Sequence, residues 1–323
     1  MRHVNENLAP PADFDPSAAA DRIAERTATA ISDLGRRGAV VAVSGGVDSG
    51  VVAGLAVRAL GPEHVICLRL PERDVGSGSS DLGLELAQQL GTRTEEQPIS
   101  DALEALGCYR LRDEAIRAVF GDYEPDWKHK LVRSAPSGGM VFFSLVVERP
   151  DGSTEQKRMP PEPYRLLLAA TNLKQRVRKV VEYTWADRLG YAVIGTPNYL
   201  EYDQGFFVKG GDGLADVKPI ARLYKTQVFR LAEELGLPEA IAKRPPTTET
   251  FSMAQSQEEF YFGWPHEQMD VLLWGRDANK TQAEVAAQLG LEEAEVDSAY
   301  GEIDRRREAV RYLHAPAVIV DAD

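Results

Sequence analysis

The chain has 323 residues, 43% of them hydrophobic, and a formal net charge of -13. That length supports a full buried core, in one large domain or two small ones, and so acidic a balance argues against a protein that grips the phosphate backbone of DNA or RNA. Cys67 and Cys108 are its only cysteines, too few for a disulfide framework or a zinc site. With no signal-peptide pattern and no apolar run of about 20 residues, we expect a soluble cytoplasmic protein whose partners are small molecules, not nucleic acid or membrane.

In chain order, the residues through about Pro16 are rich in Pro, Asn and Asp and read as irregular. Ile23, Thr27, Ala30, Ile31 and Leu34 then share one helical face, and Gly38 stops the pattern before an apolar strand from Ala39 to Val43. A loop, Ser44-Gly45-Gly46-Val47-Asp48-Ser49, leads into a helical run from Val51 to Leu60. Val65 to Leu70 reads as a second strand, Asp81 to Leu90 as a helix closed by Gly91, and Glu95 to Ile99 as a short third strand. Cys67 lies within the second strand and reads as a core residue. Strands alternating with helices predict an α/β fold, a parallel sheet with helices on both faces and ligands at the carboxyl ends of the strands. The loop from Pro71 to Ser80 should then lie beside the Ser44 loop.

The Ser44 loop carries chemistry. A glycine pair between strand and helix lets the backbone approach a ligand, and the helix's first N–H groups favour an anion, most naturally phosphate. No Lys stands in the loop, so it is not the Walker type. Asp48 would repel a bare phosphate and makes sense with a divalent cation between carboxylate and phosphate oxygens.

The loop resembles the SGGxDS pyrophosphate loop of the N-type ATP pyrophosphatases, which split ATP between its α and β phosphates. The resemblance implies a Rossmann-like fold of the adenine nucleotide alpha hydrolase type, with ATP bound by Ser44, Gly45, Gly46, Val47, Asp48 and Ser49 and its adenosine near the Pro71 to Ser80 loop. Sulfur-transferring relatives of this loop depend on catalytic cysteines, and two isolated cysteines disfavour that branch.

From about residue 101 to 164 the likeness lapses. Met140 to Val147, the turn Pro150-Asp151-Gly152 and Ser153 to Met159 predict a β-hairpin within an insertion. It reads either as a surface elaboration or as a lid or partner surface over the active site. Likeness returns at Thr171-Asn172-Leu173-Lys174-Gln175-Arg176-Val177-Arg178, similar to the GNxKARxR segment of NAD synthetases, which opens a helix running towards Arg188. Asn172, Arg176 and Lys179 stand at spacings of four and three, so their polar ends can share a face.

Tyr191 to Ile194 reads as another strand, ending in Gly195-Thr196-Pro197-Asn198-Tyr199-Leu200-Glu201, which resembles a family turn of the form GTxNxxE. By that match Thr196 contacts ATP, and Glu201 joins Asp48 in a magnesium site. The run from Gly205 to Asp216, with Leu223-Tyr224-Lys225-Thr226-Gln227 after it, resembles the NAD synthetase pattern GxFTKxGDGxAD and its downstream L(T/Y)K(T/R)Q. The match assigns Asn172, Arg176, Lys209, Asp212 and Asp216 to the pyridine nucleotide and Lys225 to the ATP phosphates. Asp48, Glu201 and Lys225 form the catalytic set. Arg244-Pro245-Pro246-Thr247 matches xPTAD and places Thr247 near ATP, while Thr248-Glu249-Thr250 departs from the family's Ala-Asp-Leu.

Thr281-Gln282-Ala283-Glu284 is a capping box, followed by a turn at Gly290 and a helix through Leu313. A DNA-binding helix-turn-helix would fit that spacing, but Glu292, Glu293 and Glu295 would meet phosphate badly, so packing against the sheet or a second subunit is expected. The family's basic tail is replaced by Tyr312-Leu313-His314-Ala315-Pro316.

Taken together, the resemblance implies one domain over residues 1–323, with an insertion at about 101–164 and a helical extension at about 275–315. It implies an ammonia-dependent ligase that uses ATP and Mg2+ to adenylate deamido-NAD and convert it to NAD, as a homodimer with the helix from Asn172 as a candidate contact. Two rivals stand beside it. One is a carbon–nitrogen ligase acting on another carboxylate, favoured by the insertion, by Pro197 and Tyr199 and by the altered segments. The other is a non-catalytic nucleotide-binding protein, opposed by the retained Asp48, Glu201 and Lys225.

Overall fold

The computed structural model describes residues 13–74, 77–134, 142–248 and 250–320. Thus the first twelve residues, Val75 and Gly76 of the second crossing, Met140 and Val141 of the expected hairpin, and Glu249 lie outside the described residues.

Helix α1 (Pro16–Asp33) starts where Asp15 accepts the Ala18 N–H at 3.1 Å and Pro16 supplies a preset first turn. Thr27 and Ile31 are buried as its periodicity requires, but Leu34 is exposed because it caps the helix and no longer follows its spiral. Strands β1 (Ala39–Ala42), β2 (Val65–Arg69), β3 (Arg93–Glu96) and β7 (Ala192–Val193) form a parallel sheet in the order β3-β2-β1-β7. Ala39 is in register with Val65 on one side and Ala192 on the other. The third strand begins two residues earlier than its apolar pattern suggested. Arg93 to Glu96 pair with Ile66 to Arg69, and Ile99 is buried ahead of α4 (Ser100–Ala105).

Period-two alternation sends the sheet's side chains to opposite faces. Val41, Val43 and Cys67 meet α1, α2 (Val47–Leu60), α3 (Ser77–Gln89) and the later helix α8 (Lys225–Glu234). Val40, Ile66 and Leu68 meet α4, α5 (Cys108–Arg117) and α6 (Pro161–Leu189). Helix α6 opens ten residues before Thr171, because Pro161 occupies its first turn and Leu167 and Ala170 already have cores to enter.

The expected hairpin is β5 (Phe143–Glu148) with β6 (Thr154–Arg158), and a further strand, β4 (Lys128–Arg133), pairs antiparallel with β5. This three-stranded sheet packs Leu131, Leu145 and Val147 against Phe120, Leu167 and Phe251. Beyond β7 come α7 (Tyr199–Gln204) and α8, then α9 (Glu239–Ala242), α10 (His266–Asp277), α11 (Gln282–Leu289), α12 (Glu293–Ala309) and α13 (Arg311–His314). Helices α11 and α12 bury Val285, Val296, Tyr300 and Ile303 against Leu272 and Leu273 of α10. The helix-turn-helix geometry is therefore spent on a core. Among the described residues no helix is long and apolar enough to cross a membrane.

Candidate active site

The Ser44 loop emerges where β1 ends. Gly45 takes φ 77°, a left-handed conformation that costs glycine little. Ser49 Oγ donates to the Gly46 carbonyl at 3.0 Å and accepts the Ser44 N–H at 3.2 Å, which fixes the loop from within. Gly46 caps α2 without a side-chain acceptor, so the first turn keeps N–H groups for an anion. Arg244 Nη1 donates to the Gly45 carbonyl at 3.0 Å, tying the 244–247 segment to the loop.

Asp48 meets residues of two elements far away in sequence. Asn198 Nδ2 donates to Asp48 Oδ1 at 3.0 Å, and the Lys225 ammonium pairs with Oδ2. The turn after β7 sets Asn198 as the cap of α7. Its Oδ1 accepts the Glu201 N–H and its own N–H donates to Glu201 Oε2, each at 3.1 Å. Gln257 Nε2 donates to Glu201 Oε1 at 2.9 Å. Burial, with Asp48 close by, pushes the Glu201 carboxyl above the usual carboxylate range, while Lys225 opposes that shift. Lys225 is the first residue of α8 and is completely buried. Asp270 of α10 holds that helix start, accepting the N–H groups of Lys225 at 3.2 Å and Thr226 at 2.7 Å.

A cavity of about 380 Å³ opens over this group. Ser44, Gly46, Val47, Asp48 and Ser49 line it, as do Thr196, Glu201 and Thr247. From the substrate set it includes Asn172 and Asp212. Asp212 accepts the Val208 N–H at 2.8 Å, and burial raises its carboxyl.

Arg176, Lys209 and Asp216 stand outside that lining. The exposed Arg176 directs Nε to the Lys209 carbonyl at 3.3 Å. Lys209 Nζ donates to the carbonyls of Tyr312 and Ala315, at 2.7 and 2.8 Å. Asp216 accepts the Val193 N–H at 2.8 Å and the Tyr183 hydroxyl at 3.1 Å, closing the chain onto β7. On α6, successive steps of three and four from Asn172 through Gln175 bring Arg178, Lys179 and Glu182 to the cavity, so Lys179 shares a face with Asn172 as its spacing suggested, whereas Arg176 does not. Lys179 Nζ pairs with Glu182 Oε2 at 2.6 Å, both buried.

Sequence reasoning gave no role to Asn198, Gln257, Asp270 or Arg178. For Asn198 a signal existed, since Asn followed three residues later by Glu is a capping box. Gln257 and Asp270 reach the site only through long-range packing.

The sequence model of the NAD synthase family matches residues 20–122 and 149–309. The NH(3)-dependent NAD(+) synthetase of Mesorhizobium japonicum is 51% identical over 305 residues, covering 94% of this chain and 96% of that protein. Its counterpart in Rhizobium meliloti is 48% identical over 303 residues, covering 93% and 91%. Among solved structures, the NMN synthetase of Francisella tularensis superposes with a TM-score of 0.67 at 22% identity, over 96% of this chain and 100% of that one. The NH3-dependent NAD synthetase of Campylobacter jejuni gives 0.63 at 19%, over 95% and 100%. These two likenesses speak to the fold, a parallel sheet between helices. By its sequence, this chain belongs to the NAD synthase family of carbon–nitrogen ligases.

Proposed function

We propose that the protein is an ammonia-dependent NAD synthetase acting in the cytoplasm as a single-domain homodimer, converting deamido-NAD to NAD at the expense of ATP. The observation that carries the reading is the convergence of Asp48, Glu201 and Lys225, from three separate elements, at the mouth of a loop built for phosphate. A site for nucleotide binding alone has no use for a buried carboxylate, a half-buried one beside it and a buried ammonium. This disfavours the non-catalytic alternative.

Two adjacent carboxylates, one of them pushed upward by burial and by its neighbour, suit a hard divalent cation with oxygen ligands. Asp48 and Glu201 would hold Mg2+, which when bound neutralises phosphate charge. The Ser44 loop and the first turn of α2 hold the triphosphate, with Thr196 and Thr247 beside it. Asn198 keeps both carboxylates in place. Asn172, Gln175, Arg178 and Asp212 face the substrate end of the cavity, while Arg176, Lys209 and Asp216 act from its outer side.

In the first step an oxygen of the substrate carboxylate attacks the α phosphorus, and the bond to the bridging oxygen breaks as pyrophosphate leaves. Lys225 offsets the negative charge that grows on the departing group. In the second step ammonia adds to the carbonyl carbon of the acyl adenylate, AMP departs, and a proton is released from nitrogen. Neither step needs a protein nucleophile, so positioning and charge supply the acceleration.

Pyrophosphate release from ATP with Mg2+, ammonia and deamido-NAD, with the product identified by mass, tests the reading. NAD formation at an ordinary enzymatic rate is expected. ATP binding without turnover of deamido-NAD would overturn it in favour of another carboxylate.

A further inference from the structure

The family match skips residues 123–148, the stretch that holds β4 and β5. These strands nevertheless reach the substrate cavity. On β5, Phe143, Leu145 and Val147 fall on one face by period two. Leu145 and Val147 are wholly buried between the inserted sheet and α6, whereas Phe143, first in the series, lies past that core and lines the cavity. Its ring stacks on Tyr164 of α6, with centroids 5.0 Å apart and planes 17° from parallel. It also meets Phe260 at 6.2 Å, and Phe260 meets Phe251 edge-on at 5.4 Å. All four rings line the cavity that contains the Ser44 loop, and Asn172 and Arg178 line it too.

An aromatic wall fixed by its own stacking, in one cavity with a few hydrogen-bonding groups, is the environment that binds a flat heteroaromatic ring. We propose that the inserted sheet is a substrate-specificity element, and that Phe143 with Tyr164 forms the wall against which a heteroaromatic ring of the carboxylate substrate rests. The proposal deepens the amide-forming reading and rests on it. The sheet's core residues exist to hold one ring: Leu145 and Val147 anchor β5, and the anchored strand fixes where Phe143 points. Stacking on such a wall aligns the substrate so that its carboxylate meets the α phosphorus.

The test is equilibrium binding by calorimetry of deamido-NAD and, separately, of Mg-ATP to the wild-type protein, Phe143→Ala, Phe143→Leu and Phe143→Trp, with circular dichroism to confirm folding. Loss of the ring should weaken deamido-NAD about tenfold, the scale of one aromatic contact, leave Mg-ATP within twofold, and be largely rescued by Phe143→Trp. Equal deamido-NAD affinity in the wild-type protein and Phe143→Leu would overturn the proposal. So would a loss confined to Mg-ATP, which would assign the wall to adenine. Because binding is read without turnover, failure of the amide-forming reading shows separately, as deamido-NAD that binds the wild-type protein but is not converted. If Phe143→Ala does not fold, Phe143→Leu, which keeps an apolar side chain at the edge of the core, carries the comparison.

Discussion

Asp48 is touched by an amide and an ammonium from opposite sides, and neither contact lies near it in sequence. If its carboxylate serves the phosphates, Asp48→Ala should lower pyrophosphate release by about 10² to 10³ or more, the scale of losing one charge-stabilising group. Turnover near the wild-type rate would sink the assignment. Asp270 acts at one remove, through the N–H groups that begin α8. Asp270→Asn keeps an acceptor, so it should preserve most of kcat, while Asp270→Ala should lower kcat together with thermal stability. A stable Asp270→Ala enzyme with unchanged kcat would deny it a positioning role. The loop with its Asp48, and Glu201 and Lys225, were legible because each sits in a short local pattern. What Asn198 does to Asp48 was not, because a spacing of 150 residues leaves no periodic trace. Arg176 shows the converse limit. Its spacing from Asn172 permits a shared face, yet its side chain turns outward to the Lys209 carbonyl.

At the scale of elements, the inserted sheet was half visible. The β5–β6 hairpin announced itself through its turn, but β4 reads Lys128-His129-Lys130-Leu131-Val132-Arg133 and hides its alternation under charge. His129 and Leu131 point inward there, both buried. His129 Nδ1 shares a hydrogen bond with Ser252 Oγ at 3.0 Å, and burial, with Arg112 and Lys174 adding to it and Asp74 opposing, holds its ring down to about 3. An unfolded histidine titrates near pH ~6.5. Folding therefore excludes a proton that the unfolded chain accepts, so this stability is present above about pH 6.5 and is lost as pH falls towards about 3. Between pH 6.5 and 5 the loss should be about 2 kcal/mol. Urea midpoints measured across that range should fall less in His129→Asn than in the wild-type protein. Parallel curves would show that the ring is not the acid-sensitive group.

For the whole molecule, the question is what covers α6. Its inner side enters the core and the cavity, but Val180 is 65% exposed, and Arg176 lies exposed a turn away. A second copy placed over this helix would cover an apolar side chain that a monomer leaves in water. Size-exclusion chromatography with mass detection should give twice the mass of the 35.5 kDa chain, and Val180→Glu should shift it towards the monomer. A wild-type protein that runs only as a monomer would refute the contact. The alternation of strand and helix made the central sheet legible from sequence, since each strand's two faces needed separate cores. Assembly left no such mark, because an exposed valine looks the same in sequence whether water or a partner meets it.

The pairing of Lys225 with Asp48 has a consequence for the order of events. The ammonium serves as the counter-ion of the acid that a metal would require. A free divalent cation must therefore displace a covalently tethered competitor, one whose local concentration never falls. A nucleotide brings phosphates that attract the same ammonium, so cation and ATP should enter as a thermodynamically coupled pair. Millimolar Mg2+ alone should leave the melting temperature unmoved, and Mg2+ with a non-hydrolysable ATP analogue should raise it by more than either does singly. Additive shifts would mean that the two sites are independent.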